Sequence, residues 1–170
     1  LENKPLDYIR KLGLIENCIY GVDIQEIAIQ ISKLRFFISL LVEQVPDDSK
    51  PNRDIKALPN LETKFVAANS LIAIERSSQS VIKDPTVEQL ENELFKVRQE
   101  IFYSNSRWEK VELQRKEKEL RTKLKEALSR DGFGSKVAEQ ISSWDPFDQN
   151  THANWFDPEW MFGVKDGFDI

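Results

Sequence analysis

Apolar positions follow three different rules along the chain. From Asp7 to about Glu43 they predict helix, short strand, long helix. Cys18-Ile19-Tyr20-Gly21-Val22 is an apolar run too short for a helix and reads as a strand, with Cys18 a small buried hydrophobe inside it. Ile24, Ile27, Ala28, Ile31, Leu34, Ile38, Leu41 and Val42 recur at three- and four-residue steps, a stripe on an amphipathic helix expected to pack on a sheet. The segment from Val45 to Arg53, with two prolines among short polar residues, predicts a loop. Thr63-Lys64-Phe65-Val66-Ala67-Ala68 then reads as a buried strand that breaks at Asn69-Ser70.

Between Asp84 and Arg130 the composition turns to Glu, Lys, Arg, Gln and Leu, with no glycine and with Pro85 where a first helical turn tolerates it. Val87, Leu90, Leu94, Val97 and Ile101 form one seam, and Leu113, Leu120, Leu124 and Ala127 continue it after a break at Ser104-Asn105-Ser106. An antiparallel helical hairpin is the simplest reading. Its first arm is acidic, whereas Arg107 to Arg130 carries nine bases against five acids, so the arms attract. Two solvated faces account for most of that charge, and contact between the basic arm, residues 107–130, and a phosphate backbone is the sharper alternative.

From Gly132 the chain is rich in aromatics and acids, including three of its four tryptophans, and predicts packed loop that covers an existing surface. Asp131-Gly132-Phe133-Gly134-Ser135 follows a long polar helix rather than a strand, so it reads as a helix C-cap and not as a phosphate loop. The final Phe168-Asp169-Ile170 has the look of a strand just begun.

Charge and composition narrow the chemistry. A net charge of -5 leaves no global positive field for nucleic acid or an anionic membrane, so any DNA contact is local. No apolar run approaches the roughly 20 residues that span a bilayer, and Leu1 to Pro5 has no signal-peptide core, which predicts a cytoplasmic protein. One cysteine and one histidine exclude an intrachain disulfide and a Cys/His zinc site. His152, without a metal-binding partner of its kind, reads as a surface imidazole.

Asp23 lies where a strand hands over to a helix, the place at which doubly wound folds set an acid to accept from two ribose hydroxyls. The plainer alternative is a helix cap, since Asp23 and Glu26 have capping-box spacing. Asn69 follows the second strand at an analogous point and offers donor and acceptor for the edge of a base, against an ordinary role in a turn.

Three strings resemble one family, the type IIG restriction-modification enzymes, in their adenine-N6 DNA methyltransferase domain. Ile19-Tyr20-Gly21-Val22-Asp23-Ile24-Gln25, running into Ile31-Ser32-Lys33-Leu34-Arg35-Phe36-Phe37, resembles the second motif and its helix. Leu58-Pro59-Asn60-Leu61-Glu62, leading to Ala68-Asn69-Ser70-Leu71, resembles the third. Trp155 to Gly163, followed by Gly167-Phe168-Asp169-Ile170, is similar to the approach to the catalytic motif, where the family continues into Asn-Pro-Pro-Tyr.

The resemblance implies a partial Rossmann-like α/β methyltransferase fold with an inserted antiparallel helical hairpin. Residues 1–83 would be a partial α/β region, 84–131 the insertion and 132–170 an aromatic-rich lead to the catalytic motif. It implies S-adenosylmethionine as cofactor of the intact enzyme, with Asp23 accepting from its ribose, Ile24 on the adenine face and Asn69 at the adenine amino edge. Relatives often carry aspartate at the position of Asn69. Double-stranded DNA is the implied partner, an endonuclease accompanies the methyltransferase in the full-length protein, and no membrane is involved. Neither the catalytic motif nor the cofactor's glycine loop is present, so no residue here is catalytic, and the chain is expected to be an inactive internal fragment. Two rivals are a helical-hairpin interaction module anchored on an α/β scaffold and a dinucleotide oxidoreductase, the latter lacking its Gly-x-Gly-x-x-Gly.

Overall fold

Two short parallel strands hold the centre, β1 (Gly21–Asp23) and β2 (Phe65–Ala67), paired Gly21 with Phe65, Val22 with Val66 and Asp23 with Ala67. The computed structural model describes residues 4–74, 85–130, 135–165 and 167–168. The predicted C-cap at Gly132 to Gly134 and the ending at Asp169-Ile170 lie outside the described residues. Among those described, the helices are α1 (Lys4–Asn17), α2 (Glu26–Leu41), α3 (Pro85–Tyr103), α4 (Arg107–Arg130), α5 (Ser135–Ser143) and α6 (Pro158–Phe162). The aromatic segment after Gly132, expected to be loop, contains two of them, because Val137, Ala138 and Ile141 form one buried face and Asp157-Pro158 starts a turn.

Strand alternation divides the core. Phe65 and Ala67 face α1 and α2, in a cluster with Tyr8, Ile15, Ile29 and Leu40, whereas Val66 and Ala68 face the cluster of α3, α4, α5 and α6. Gly21 is required by this pairing, since a Cβ there would stand 2.4 Å from the Phe65 ring.

The face that α2 buries differs from the expected stripe. Ile29, Lys33 and Leu40 are buried and the Phe36 ring lies 4.8 Å from that of Phe65, while Ile24, Ile27, Ile31, Leu34, Ile38, Leu41 and Val42 are all exposed. The helix is apolar nearly all round, so periodicity alone does not select its inner face, and the larger aromatic surface takes the sheet. Cys18 is exposed between α1 and β1, because the strand begins three residues later than the apolar run.

The arms of the hairpin bury Val87, Leu94, Val97 and Ile101 against Leu120, Leu124 and Leu128. At the turn Ser106 Oγ accepts from Glu109 N at 3.1 Å and Glu109 accepts from Asn105 N at 3.3 Å, a reciprocal cap. The hairpin is bonded to the strand layer: Asn60 Nδ2 donates to Ile101 O at 2.8 Å and Ser104 O at 3.0 Å, and Lys110 pairs with Glu62 at 2.5 Å.

Candidate functional site

Because β1 and β2 run parallel, their C-terminal ends emerge on one edge, where open α/β sheets place ligands. Asp23 ends β1, its carbonyl accepts from Ala68 N at 2.9 Å, and Asn69 follows directly. The segment around Ala153 extends the edge. Ala153 N donates to Ala67 O and Asn69 N to Ala153 O, both at 2.9 Å, in a parallel bridge of Ala68 with Ala153. The structure therefore sets Asp23 and Asn69 on neighbouring strand ends.

The capping box expected of Asp23 and Glu26 does not form. The N-cap of α2 is Gln25, without a side-chain cap bond. Asp23 is exposed, and its Oδ1 accepts from Gln25 N at 2.8 Å, which holds the carboxylate in the turn and leaves Oδ2 without a hydrogen bond among the described residues. Glu26 turns instead to His152, with Nδ1 to Oε1 at 2.7 Å, and this contact holds the Glu26 carboxyl below the usual carboxylate range. His152 is thus a tie between α2 and the Ala153 segment rather than a solitary imidazole. Only the folded chain brings together residues 126 positions apart, so their contact gave no signal in sequence.

Asn69 does take part in a turn. Its Oδ1 accepts from Leu71 N at 3.1 Å, which leaves the Nδ2 donors and the second lone pair of Oδ1 for another group. Ile24 is 50% exposed and Leu71 93%, so the edge presents an acceptor, an amide and bare apolar surface side by side. This combination suits a ligand with hydroxyls and a flat ring carrying a polar edge.

A cavity of about 330 Å³ lies at the opposite, N-terminal end of the strands, between Tyr20 and Lys64 on one side and Phe95, Phe102 and Phe162 on the other. Lys64 Nζ stands 4.2 Å over the Tyr20 ring, and burial lowers its pKa. None of the residues predicted from sequence reaches this cavity.

Residues 17–170 match the Eco57I restriction-modification methylase family. Over 65 residues the chain is 40% identical to a protein of Methanocaldococcus jannaschii described as a type II restriction enzyme and methyltransferase. That stretch is 38% of this chain and 5% of the relative, so the chain spans a small part of the relative's length. No solved structure matches.

Proposed function

Since the chain belongs to the Eco57I restriction-modification methylase family, we propose that the Asp23 and Asn69 edge is part of the cofactor pocket of a DNA methyltransferase. In this reading the protein is an adenine-N6 enzyme of type IIG, its nuclease lies in the same full-length polypeptide, and the α/β portion is a piece of a Rossmann-like fold. The observation that carries it is the open Oδ2 of Asp23 beside the open amide of Asn69 on adjacent parallel strand ends.

S-adenosylmethionine, when bound, supplies a methyl group on a sulfonium. The part assigned to this chain is to bind and orient. Asp23 accepts from the ribose hydroxyls, and the turn bond from Gln25 N keeps its carboxylate aimed outward. Ile24 covers a face of the adenine, and Asn69 meets the edge that carries its amino group. No residue of the chain is assigned the methyl transfer, so the isolated 170-residue chain should transfer none to DNA.

Calorimetry of S-adenosylmethionine binding to the full-length polypeptide tests the assignment. Asp23→Ala should weaken binding by about 1–3 kcal/mol through lost charge-assisted hydrogen bonds, and Asp23→Asn by less. Unchanged affinity in Asp23→Ala would return Asp23 to a turn-forming role. The interaction-module alternative has less support, because the methylase family match runs over residues 17–170 and not over the hairpin alone.

A further inference from the structure

The structure sorts the nine bases of α4 into groups that the sequence leaves mixed. Arg121 is buried and engaged by Glu117, Lys110 is engaged by Glu62, and Arg115 lies between Glu112 and Glu119. Lys116, Lys123 and Arg130 recur every seven residues in one exposed row, interleaved with Glu112, Glu119 and Glu126, and Arg130 reaches Glu126 at 3.9 Å. Arg107, Lys118 and Lys125 make a second row. Spacings of eleven and seven residues return them to within about 20° of one line on a 3.6-residue helix, at intervals of roughly 16 and 10 Å.

No carboxylate of α4 falls within about 80° of that line. Arg107, Lys118 and Lys125 are exposed and have no ion pair among the described residues. Between Arg107 and Lys118 stands Gln114, whose amide can donate to an anion, whereas the hydroxyls of Thr122 and Ser129 donate to Lys118 O at 3.0 Å and Lys125 O at 2.8 Å. The adjacent α5, which Arg121 reaches through Ser142 O and Trp144 O, adds one exposed base, Lys136, and one exposed acid, Glu139. On a chain of net charge -5, this is an acid-free basic strip along a helix of 24 residues.

We propose that the strip of Arg107, Lys118 and Lys125 lies along a DNA phosphate backbone and positions the duplex without reading its bases. The proposal rests on DNA as the substrate in the reading above. A row of cations spanning roughly 27 Å matches a linear polyanion better than a compact anion; Val111 is exposed beside the row, but the exposed Trp108 stands about 90° off it, so the row itself carries no aromatic platform for unpaired bases.

The test compares two triple variants of the full-length polypeptide that change net charge equally, Arg107→Ala/Lys118→Ala/Lys125→Ala and Lys116→Ala/Lys123→Ala/Arg130→Ala. Fluorescence anisotropy with several unrelated labelled duplexes of about 20 base pairs, between about 50 and 200 mM salt, gives affinity and its salt slope. The first variant should lower the slope by about two to three units, roughly one per phosphate contact, and weaken all duplexes alike by about tenfold or more. The second should change it by less than about one unit. The charge-preserving triple Arg107→Lys/Lys118→Arg/Lys125→Arg should keep the slope of the unmodified protein, since the contacts proposed depend on charge. Equal slopes in the two alanine triples, no duplex binding by the unmodified protein, or a loss confined to one duplex sequence would each overturn the proposal. Cofactor calorimetry on the same variants keeps it separate from the Asp23 assignment, which fails only there.

Discussion

Arg98 on α3 and Glu117 on α4 close an ion pair away from water, with Nη2 to Oε1 at 2.9 Å and Nε to Oε1 at 3.2 Å. Glu117 is fully buried, and its other oxygen takes Arg121 Nε at 2.7 Å. Each guanidinium then reaches outward to backbone. Arg98 donates to Trp160 O at 3.0 Å and Arg121 to Trp144 O, so one carboxylate fixes the hairpin to both segments that follow it. Burial pulls the Arg98 pKa down and Glu117 opposes that pull.

Removing the shared carboxylate should therefore cost more than removing an ordinary surface ion pair. Glu117→Ala leaves Arg98 buried without its paired carboxylate and Arg121 with Asp145 alone, at 3.3 Å, and we expect a loss of about 3–5 kcal/mol in urea denaturation. Replacing all three together, Arg98→Met/Glu117→Leu/Arg121→Met, should cost far less than Glu117→Ala alone, since no uncompensated charge remains. A single variant as stable as the parent would show that water reaches the cluster.

Gly163 ends α6 at φ 75°, the left-handed region, and donates back to Glu159 O at 2.9 Å. A Cβ there would stand 2.8 Å from the Phe95 ring. Gly163→Ala should destabilise by about 1–3 kcal/mol, the backbone share being about 1 kcal/mol. Adding Phe95→Leu should recover part of the steric share in the double variant. If thermal denaturation showed no change for Gly163→Ala, the turn would have relaxed away from the left-handed region.

These particulars show what the sequence carries. The hairpin seam was legible because Val87, Leu94, Val97, Ile101, Leu120 and Leu124 obey a helical period and a single face of each arm is apolar. The inner face of α2 was not, because its isoleucines and its Phe36-Phe37 pair make two apolar faces and only contact with Phe65 decides between them. At the candidate site, the handover from strand to helix picked out Asp23, and the end of the second strand picked out Asn69. The competing cap role of Asp23 depended on where Glu26 points, and that is decided by His152, far away in sequence.

That contact makes its own prediction. The His152 hydrogen bond holds Glu26 below the ordinary value of 4.5, so its stabilisation is present above the unfolded carboxylate pKa and disappears as pH falls through the lowered folded one. In His152→Ala the Glu26 carboxyl should titrate nearer its ordinary value, followed by NMR, and the segment around Ala153 should exchange its amide protons faster. An unmoved Glu26 titration would mean that its own backbone, the next contributor, sets the shift.

The Lys33 pKa is also lowered, but there the shift marks a buried charge that costs stability. Lys33 projects from the buried face of α2 with 6% of its surface exposed, and burial pushes its pKa below the ordinary 10.5, with Lys110 acting in the same direction and Glu62 against it. Glu62 is already held by Lys110 through Oε1, and its Oε2 is buried without a partner among the described residues. Between the folded and unfolded pKa values of Lys33 the unfolded chain binds more protons, so stability rises with pH across that window and levels off above 10.5. Lys33→Met keeps the length of the side chain, removes the buried charge and leaves Glu62 with Lys110. We expect it to gain about 1 kcal/mol at neutral pH and to lose the alkaline rise, both read from urea denaturation between about pH 7 and 10. A variant less stable than the parent, with a parent curve flat over the same range, would show that Glu62 compensates the Lys33 charge in full.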